Sequence, residues 1–489
     1  MPTKGIRGGQ VKLLSDEDVR RIHFATLDVL GEVGIRLTHR KALELWADHG
    51  ARVDFDHEIV RIPEHVLMKA LSTAPTRVTL YGKSPQWDVV FDASGTVYAM
   101  GGAGAPWVLD PADGHRRPAT LHDLEELTRL EDALPNWHIA HWLVLPQDIP
   151  QLGSEYVTHA AMLKHTGRPH HCLPGSRQCV RDQIEMAVVI AGSRENLRRR
   201  PFFFENICVL SPLYQPGETT DQLIECAQQG LPLFLEADTI AGGTAPFTLA
   251  GALVEQNANV LSYVALAQLI NPGTPCIYSS SSGIMDMRIA DYSAAAPEST
   301  LMHMAAAQVA HYYGLPFQGG NTPDAKLPDA QMGYERASHF LALAYAGCDI
   351  IHVAIGNLAK MYLASYEQCV MDNEILGACF RLLEGFQVND DSLAVNVFRD
   401  VGHEARFVSH DQTLRHLRSE RWQPRITDRR SWDGWYASGG KDMRQTAKEE
   451  VQRILKQHHP QYVSEDQARE IDRLAYAGQE RALSAAATH

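Results

Sequence analysis

Two glutamates interrupt strongly apolar runs of this 489-residue chain. Glu205 follows three phenylalanines, and Glu236 follows the run Leu-Phe-Leu. Because an unpaired buried charge costs several kcal/mol, each carboxylate needs a partner or a task. The pair could bind a divalent metal ion, act as acid and base, or attract a cation. Simple hydrogen bonding to the backbone or to an arginine is an equally open interpretation.

Aromatic and polar side chains stand at the ends of other apolar runs. Aromatic faces attract a quaternary ammonium ion by about 0.5–2 kcal/mol per ring, although each ring taken singly could serve packing alone. Amide and imidazole groups could hydrogen-bond a carboxylate on the same ligand. The candidate cage residues are Trp107, Trp142, Phe204 and Tyr278, and the candidate carboxylate partners are Gln318, Asn321 and His352.

Metal and nucleotide motifs give little support for a bound cofactor. The sequence has no HxH pair, and His170 and His171 are neighbours whose side chains would point to opposite faces of a strand. The glycines of Gly101–Gly104 are not followed by the helix that a dinucleotide-binding turn requires. We therefore predict no metal ion and no dinucleotide in this chain, and the spacing assigns no catalytic residue.

A repeated Gly-x-Pro triplet marks the boundaries of the helices and strands that must position these residues. Glycine accepts the left-handed conformation at the end of a helix, and proline begins a strand where its missing N–H is harmless. Each triplet therefore marks a joint from helix to strand. The triplets begin at Gly167, Gly230, Gly273 and Gly314.

Eight apolar runs are each followed by a segment with helical periodicity, which predicts a closed (β/α)8 TIM barrel. In such a barrel the reactive residues lie at the C-terminal ends of the strands. The predicted strands are Val97–Gly101, His138–Leu145, His170–Pro174, Phe202–Cys208, Leu233–Ala237, Cys276–Ser280, Phe317–Gly320 and Ile350–Ala354. The predicted helices are Leu121–Ala133, Ser154–Lys164, Arg177–Gly192, Thr219–Gln229, Leu249–Ile270, Ser299–Tyr313, Met332–Ala346 and Tyr366–Leu383.

The chain divides into three parts on this interpretation. Residues 1–95 predict an N-terminal accessory α+β layer, with helices at Asp16–Val33 and His39–His49 and small strands with a hairpin over Arg52–Leu71 and Arg77–Asp92. Residues 96–386 form the barrel. Residues 387–489 are a C-terminal helical extension, which we expect to cover the barrel or to make subunit contacts in a homo-oligomer.

Composition excludes several classes of function. The formal net charge of −14 argues against nucleic acid as a partner. The eight cysteines form no CxxC pair, and no apolar segment is long enough to span a membrane without interruption. We expect a reduced, cytoplasmic protein with no membrane association.

Several segments together resemble the trimethylamine methyltransferase family. The resemblance covers most of the chain, and its segments are specific in combination. They are Gly101–Asp110, Arg117–Thr120, Asp132–Asn136, Asp324–Glu335, Ser365–Gln368 and Asp372–Glu374.

The resemblance implies a (β/α)8 barrel that moves a methyl group from a methylated amine to the cobalt of a separate corrinoid protein. Trimethylamine-specific members carry pyrrolysine, whereas this sequence has only standard residues. That departure favours the branch acting on quaternary amines, with glycine betaine as the leading substrate. Cobalamin itself is expected on the partner, because the nearest match to DxHxxG, at Asp113–Pro118, has proline in its last position.

Two other functions fit the same residues. One is a barrel lyase or hydrolase that binds a divalent metal through Glu205 and Glu236. The other is a non-catalytic betaine-binding protein that keeps the pocket without the chemistry.

Overall fold

The structure is a computed structural model that describes residues 5–92, 95–102, 104–404 and 406–487, without the side chains of residues 353 and 354. Ala103, within the segment Gly101–Gly104, and the terminal residues 1–4 and 488–489 lie outside this range. All eight cysteines are described, and all are free thiols.

Seven parallel strands form most of a closed ring. Their apolar side chains are buried on both faces, as expected of a parallel sheet covered by helices. Neighbours in the sheet follow chain order from β2 to β7, and β7 pairs with β1. The strands are β1 (Thr96–Gly101), β2 (His170–Cys172), β3 (Phe203–Val209), β4 (Leu233–Ala237), β5 (Cys276–Ser280), β6 (Phe317–Gly319) and β7 (Ile350–Ile355).

The ring is closed between β1 and β2 by an irregular segment. The predicted strand His138–Leu145 makes only isolated parallel bridges, through Ile139 to Met100, Ala140 to His170 and Val144 to Ala105. The regular ladder fails at His141 because its N–H donates to the Glu131 carboxylate, at 3.2 Å, instead of to a neighbouring strand. Eight chain segments therefore close the barrel, which confirms the predicted fold, but one of them is not a regular strand.

A helix follows each of these eight segments and packs outside the ring. The helices are α1 (Leu121–Ala133), α2 (Ser154–His165), α3 (Arg177–Ala191), α4 (Gly217–Gln229), α5 (Leu249–Ile270), α6 (Pro297–Tyr312), α7 (Ala330–Ala346) and α8 (Tyr366–Glu384). In the described residues no helix combines the length and the apolar character that crossing a bilayer requires.

The N-terminal helices pack on α5 outside the barrel, and a hairpin after them closes one end of it. A hairpin places Val78, Leu80, Val89 and Phe91 against the interior side chains Phe204, Phe234, Ile277 and Ile350. The segment predicted as strands over Arg52–Leu71 ends in a helix, because Val66, Leu67, Ala70 and Leu71 recur with helical spacing. The elements before the barrel are Ile6–Arg7, Asp16–Asp28, Val29–Val33, Ile35–Leu37, Arg40–Asp48, Arg52–Asp54, Ile59–Arg61, Glu64–Leu71, Val78–Leu80, Pro85–Trp87 and Val89–Phe91.

Two long C-terminal helices lie on the outside of the helical layer. Met443–Gln457 packs on α8 and α1, and Glu465–Ala486 packs on α2 and α3. These contacts join the two C-terminal helices to four helices of the barrel. The shorter elements before them are Asp390–Leu393, Val395–Val401, Phe407–Ser409, Asp411–His416 and Trp432–Ala437.

Short strands lie at the opposite end of the barrel, at the C-terminal ends of the parallel strands. They follow barrel strands and build a raised rim around the opening, which we call the mouth. They are Trp107–Leu109, Arg116–Pro118, Ile240–Ala241, Gly283–Asp286, Asp291–Ser293, Asn357–Leu358 and Leu363–Ser365. Tyr214–Gln215 also follows a barrel strand but pairs with the N-terminal strand Ile35–Leu37.

Candidate functional site

A cavity of about 350 Å³ lies at the mouth, which we call the mouth cavity. Its side chains come from the C-terminal ends of the barrel strands and from the loops after them. The predicted residues Trp142, Glu236, Asn321 and His352 line it together. The other lining residues include His141, His171, Asn206, Cys208, Asp238, Tyr292 and Thr322.

One wall of the mouth cavity is built from stacked rings, and we call it the ring wall. His141 stacks on His171 with ring centroids 4.1 Å apart and on His352 at 5.3 Å. Trp142 lies 6.4 Å from His171, also in a stacked arrangement. His352 lies on β7 at one side of β1, and the other three lie on the irregular segment and on β2 at the other side, so strand order brings all four together.

The histidines of the ring wall are neutral. Burial lowers the pKa of His141, His171 and His352, and neighbouring imidazoles lower the pKa of His141 and His171 further. His352 donates from Nε2 to the Gly102 carbonyl oxygen at 2.8 Å, and His141 donates from Nδ1 to the Trp142 carbonyl oxygen at 3.1 Å, since a carbonyl can only accept. The rings therefore offer aromatic faces and lone pairs to a guest.

Glycines of the β1 loop let the ring wall assemble. A Cβ atom added to Gly104 would lie 1.9 Å from the Trp142 ring, and one added to Gly102 would lie 2.7 Å from the His141 carbonyl oxygen. Both residues also have positive φ, of 70° and 74°. Small residues are thus required here for close approach to Trp142 and His141.

The opposite wall is acidic, and we call it the acid wall. Glu236 and Asp238 lie at the end of β4, across the ring from β1. Glu236 accepts hydrogen bonds from Asn206 Nδ2 at 2.6 Å and from Ser281 Oγ at 2.5 Å, which hold its carboxylate in place. Asp238 opens to the mouth, and desolvation followed by the nearby charge of Glu236 raises its pKa.

Asn321 belongs to a hydrogen-bond chain beside the acid wall. It accepts from the Tyr292 hydroxyl at 2.8 Å and donates to the Ser282 carbonyl oxygen at 2.7 Å. Both ends of the Asn321 amide are therefore already bonded within the protein. Its described role is to hold Tyr292 at the cavity, not to offer a free donor.

The mouth cavity carries net negative charge. Among the described residues that line it, none is a lysine or an arginine, whereas two are carboxylates. Neutral rings on one side and carboxylates on the other suit a cation with apolar groups, because ring faces and negative charges both attract it.

Two predicted residues lie on the other face of the strands, against the helices. Tyr278 packs into the layer between β5 and α5, where its hydroxyl accepts from Gln256 Nε2 at 3.2 Å. Glu205 faces the same layer. Burial raises the pKa of the thiols of Cys172, Cys179 and Cys226, and the nearby Glu205 carboxyl group raises it further. Burial raises the pKa of Glu205 itself.

This placement separates Glu205 from Glu236. Side chains alternate between the two faces of a strand, and Glu205 takes the helix face of β3 while Asn206, the next residue, takes the cavity face. Glu236 also takes the cavity face, on β4. The two glutamates therefore cannot share a metal ion, and the barrel hydrolase interpretation loses its ligand pair.

The remaining three predicted residues also lie outside the mouth cavity. Phe204 stacks on Phe234, with centroids 4.0 Å apart, in the apolar layer beneath it. Gln318 is buried on the barrel strand β6. Trp107 packs at the rim beneath the Arg116 guanidinium, 4.4 Å from its ring centroid.

The site residues chosen from the sequence omit most of the polar residues that complete the walls. The positional rule that selected Glu236 also points to His171, Asn206 and Asp238 at strand ends, whereas His141 lies inside the predicted strand His138–Leu145. Tyr292 offered no such signal, because it lies in a short strand of the rim, 12 residues beyond β5 in the numbering.

Comparison with known proteins places the chain in a family. Residues 3–482 match the trimethylamine methyltransferase (MTTB) family. A trimethylamine methyltransferase of Desulfitobacterium hafniense is 34% identical over 454 residues, which are 92% of this chain and 90% of the relative. A glycine betaine methyltransferase of Desulfitobacterium hafniense strain Y51 is 33% identical over 454 residues, 92% of this chain and 93% of the relative.

A solved structure supports the fold. The crystal structure of the monomethylamine methyltransferase of Methanosarcina barkeri has a TM-score of 0.50 to this chain at 14% identity. The match covers 92% of this chain and 95% of that one. The resemblance seen in the sequence is thereby confirmed, and the chain is a methyltransferase that belongs to the trimethylamine methyltransferase family.

Proposed function

We propose that this enzyme moves a methyl group from a quaternary amine, with glycine betaine as the leading substrate, to Co(I) of a separate corrinoid protein. The observation that carries the proposal is the mouth cavity, where Glu236 and Asp238 face Trp142 and three stacked, neutral imidazoles. The names of two relatives, which cite trimethylamine and glycine betaine, support a methylated amine as the donor.

The chemistry asks little acid or base catalysis of the protein. A quaternary nitrogen has no lone pair, and because it is positively charged it leaves readily as a neutral tertiary amine. A Co(I) corrinoid supplies the nucleophile, so a cobalt–carbon bond forms while the carbon–nitrogen electron pair returns to nitrogen. The side chains of this chain need only hold the cation and present one methyl group to the mouth, which is catalysis by proximity and orientation.

The acid wall also binds the substrate more strongly than the product. The substrate cation is attracted by Glu236, and by Asp238 when its carboxyl group is ionised, whereas the tertiary amine formed by methyl loss is neutral at the moment of transfer. Loss of the charge removes most of the attraction, and this favours release of the product.

Glycine betaine brings a carboxylate that the acid wall repels. No lysine or arginine lines the described cavity, and Asn321 and His352 are already committed to protein carbonyl groups. The carboxylate is therefore proposed to lie away from Glu236 and Asp238. Choline and tetramethylammonium, which lack a carboxylate, are the comparison substrates that measure this repulsion.

The corrinoid is proposed to be carried by a partner protein, since the sequence has no complete cobalamin-binding motif. The nearest match to the cobalamin motif, at Asp113–Pro118, forms the turn and second strand of a rim hairpin with Trp107–Leu109. The partner is proposed to dock over the mouth, where the methyl group is presented.

The test is methyl transfer with free cob(I)alamin as the acceptor. Glycine betaine should yield methylcob(III)alamin and dimethylglycine in equal amounts. The absorption spectrum of the cobalamin measures the transfer. Trimethylamine at the same concentration should yield far less. Binding of glycine betaine with no methylcob(III)alamin, from free cobalamin or a corrinoid protein of the same organism, would instead favour a betaine-binding protein.

A further inference from the structure

A second cluster of ligand-type side chains lies on the helix face of the barrel, away from the mouth cavity. His170 and Cys172 are two residues apart on β2 and therefore share a face, and His159 on α2 faces them. His159 Nδ1 lies 2.8 Å from Cys172 Sγ and 3.3 Å from His170 Nε2. All three ligand atoms lie within 4.8 Å of one another, and all three residues are buried.

The orientation of His159 is fixed by a group outside the cluster. Its Nε2 lies 3.2 Å from the Gln183 carbonyl oxygen, which can only accept a hydrogen bond. The proton of a neutral ring is therefore on Nε2, and the lone pair of Nδ1 points at Cys172 and His170. Metal-binding histidines are held in this way by a carbonyl or carboxylate behind the ring.

Glu205 supplies an independent observation that points to a ligand. It is the direct partner of Cys172 in the parallel register of β2 and β3, and it is fully buried on the same face. Neither of its carboxylate oxygens has a hydrogen-bond donor among the described residues. A buried carboxylate without a partner is costly, and a cation beside Cys172 would remove that cost.

Against the sequence expectation of no metal ion, we propose that His159, His170 and Cys172 form a structural zinc site that ties α2 to β2, and that the Glu205 carboxylate of β3 completes it when its side chain turns toward the ion. Two imidazole nitrogens, a thiolate and a carboxylate are the donor set that tetrahedral Zn²⁺ accepts. The charges also balance, because one thiolate and one carboxylate neutralise Zn²⁺ in a buried place.

The ligand atoms of His159, His170 and Cys172 need only a small adjustment to hold the ion. Zinc bonds of about 2.0–2.1 Å to nitrogen and about 2.3 Å to sulfur give tetrahedral edges of roughly 3.4–3.6 Å. The distance between the two histidine nitrogens, 3.3 Å, is close to that range. Cys172 Sγ must move away from His159 Nδ1 by less than an ångström, which a side-chain rotation provides.

Access to the site is through a second cavity of about 320 Å³. His159 and Cys172 line it, and it shares Trp142, His171, Leu173, Asn206 and Cys208 with the mouth cavity. The two cavities are thus separated by side chains of the ring wall. His171 stands between two of the zinc ligands in the sequence, so the ion would fix the strand that carries the ring wall.

The first test measures metal in the purified full-length protein. Protein purified from cells grown with added zinc and then dialysed should contain about one Zn²⁺ per chain, measured by mass spectrometry. Replacement by Co²⁺ should give the visible ligand-field bands of a tetrahedral site and a near-ultraviolet thiolate-to-Co²⁺ charge-transfer band. Wild-type protein that retains no zinc and shows no charge-transfer band with added Co²⁺ would overturn the proposal.

The second test uses matched variants. Cys172→Ala and His170→Gln should each weaken Co²⁺ binding at least 10-fold, and Cys172→Ala should abolish the charge-transfer band. Cys276→Ala and His303→Gln, which change a buried cysteine and a buried histidine elsewhere in the barrel, should leave both unchanged. Equal loss in the control variants would contradict the assignment. Since metal content is read without substrate or corrinoid, the result is independent of the proposed methyl transfer.

Discussion

His170 and His171 are adjacent in the sequence and lead into two different environments. His171 faces the mouth cavity, where it stacks on His141 opposite an acid wall that is open to solvent. His170 faces the helices, where it meets His159 beside a cysteine and a fully buried glutamate. The mouth group suits an organic cation that comes and goes, while the helix group suits a small ion held permanently. The alternation of one strand therefore assigns two chemistries to two neighbouring residues.

The sharpest way to break this comparison is to neutralise one glutamate on each face. Glu236→Gln removes a charge from the acid wall, so we expect glycine betaine to bind about 100-fold more weakly, or about 2.7 kcal/mol. Glu205→Gln makes the same change on the helix face, where it can act on the substrate only through the strand that carries His171, and should weaken binding far less, by a few-fold at most. Calorimetric titration of both variants checks this. Equal losses would mean that the two faces act on one ligand.

The ring wall predicts the next largest effect. Trp142→Ala removes a ring face from the cavity, and a loss of about 1–2 kcal/mol corresponds to roughly 10-fold weaker binding. Trp107→Ala removes the same side chain at the rim outside the cavity and should leave the affinity within twofold. The same titration measures both, and a larger loss for Trp107 would move the binding site toward the rim.

The glycine loop gives a smaller and more specific prediction. Gly104→Ala places a methyl group against the Trp142 ring, so we expect about fivefold weaker substrate binding together with a lower melting temperature. Gly192→Ala strains a residue with a similar positive φ, 77° against 70°, but its Cβ atom meets nothing within 4 Å. It should lower the melting temperature without changing affinity. Unchanged affinity in Gly104→Ala would show that Trp142 can move freely.

The smallest expected effect is a pH dependence. Quaternary ammonium ions do not titrate, so any change in affinity with pH comes from the protein. Because the pKa of Asp238 is raised, this carboxyl group is still protonated above the usual aspartate range, and affinity should increase several-fold as pH rises through the raised pKa. Binding of the cation should also lower that pKa and release a proton.

Asp238→Asn is the matching control for the pH experiment. This variant should remove most of the rise in affinity, because the amide does not titrate. Calorimetry in two buffers of different ionisation enthalpy would detect the released proton in wild-type protein only. A pH profile that is identical in the variant would assign the titration to another group.

The sequence was sufficient for the barrel but not for its irregular segment. Glycine and proline joints and eight apolar runs predicted the ring because each reports a local backbone requirement. The departure at His141 depends on the distant carboxylate of Glu131, in the preceding helix, and no local pattern encodes it.

The face of each predicted site residue was harder to infer. Strands of a closed parallel barrel are apolar on both sides, so Phe202–Phe204 and Leu233–Leu235 do not show which neighbour points inward. Glu205 and Glu236 therefore look alike in sequence, although Glu205 points toward the helices and Glu236 points into the barrel. Trp142 and His352 were expected at the mouth because the ends of the strands converge there, whichever face each side chain takes. Both line the mouth cavity.

The hairpin that fills the floor of the barrel constrains the order of events during turnover. With Phe91 and its neighbours packed beneath the interior residues, a guest of the mouth cavity must arrive and depart on the mouth side. A corrinoid protein docked there would stand in the same passage. The amine must therefore load before the partner docks, and the partner must leave before the demethylated product can exit, so a short-lived complex is part of the catalytic cycle that we propose.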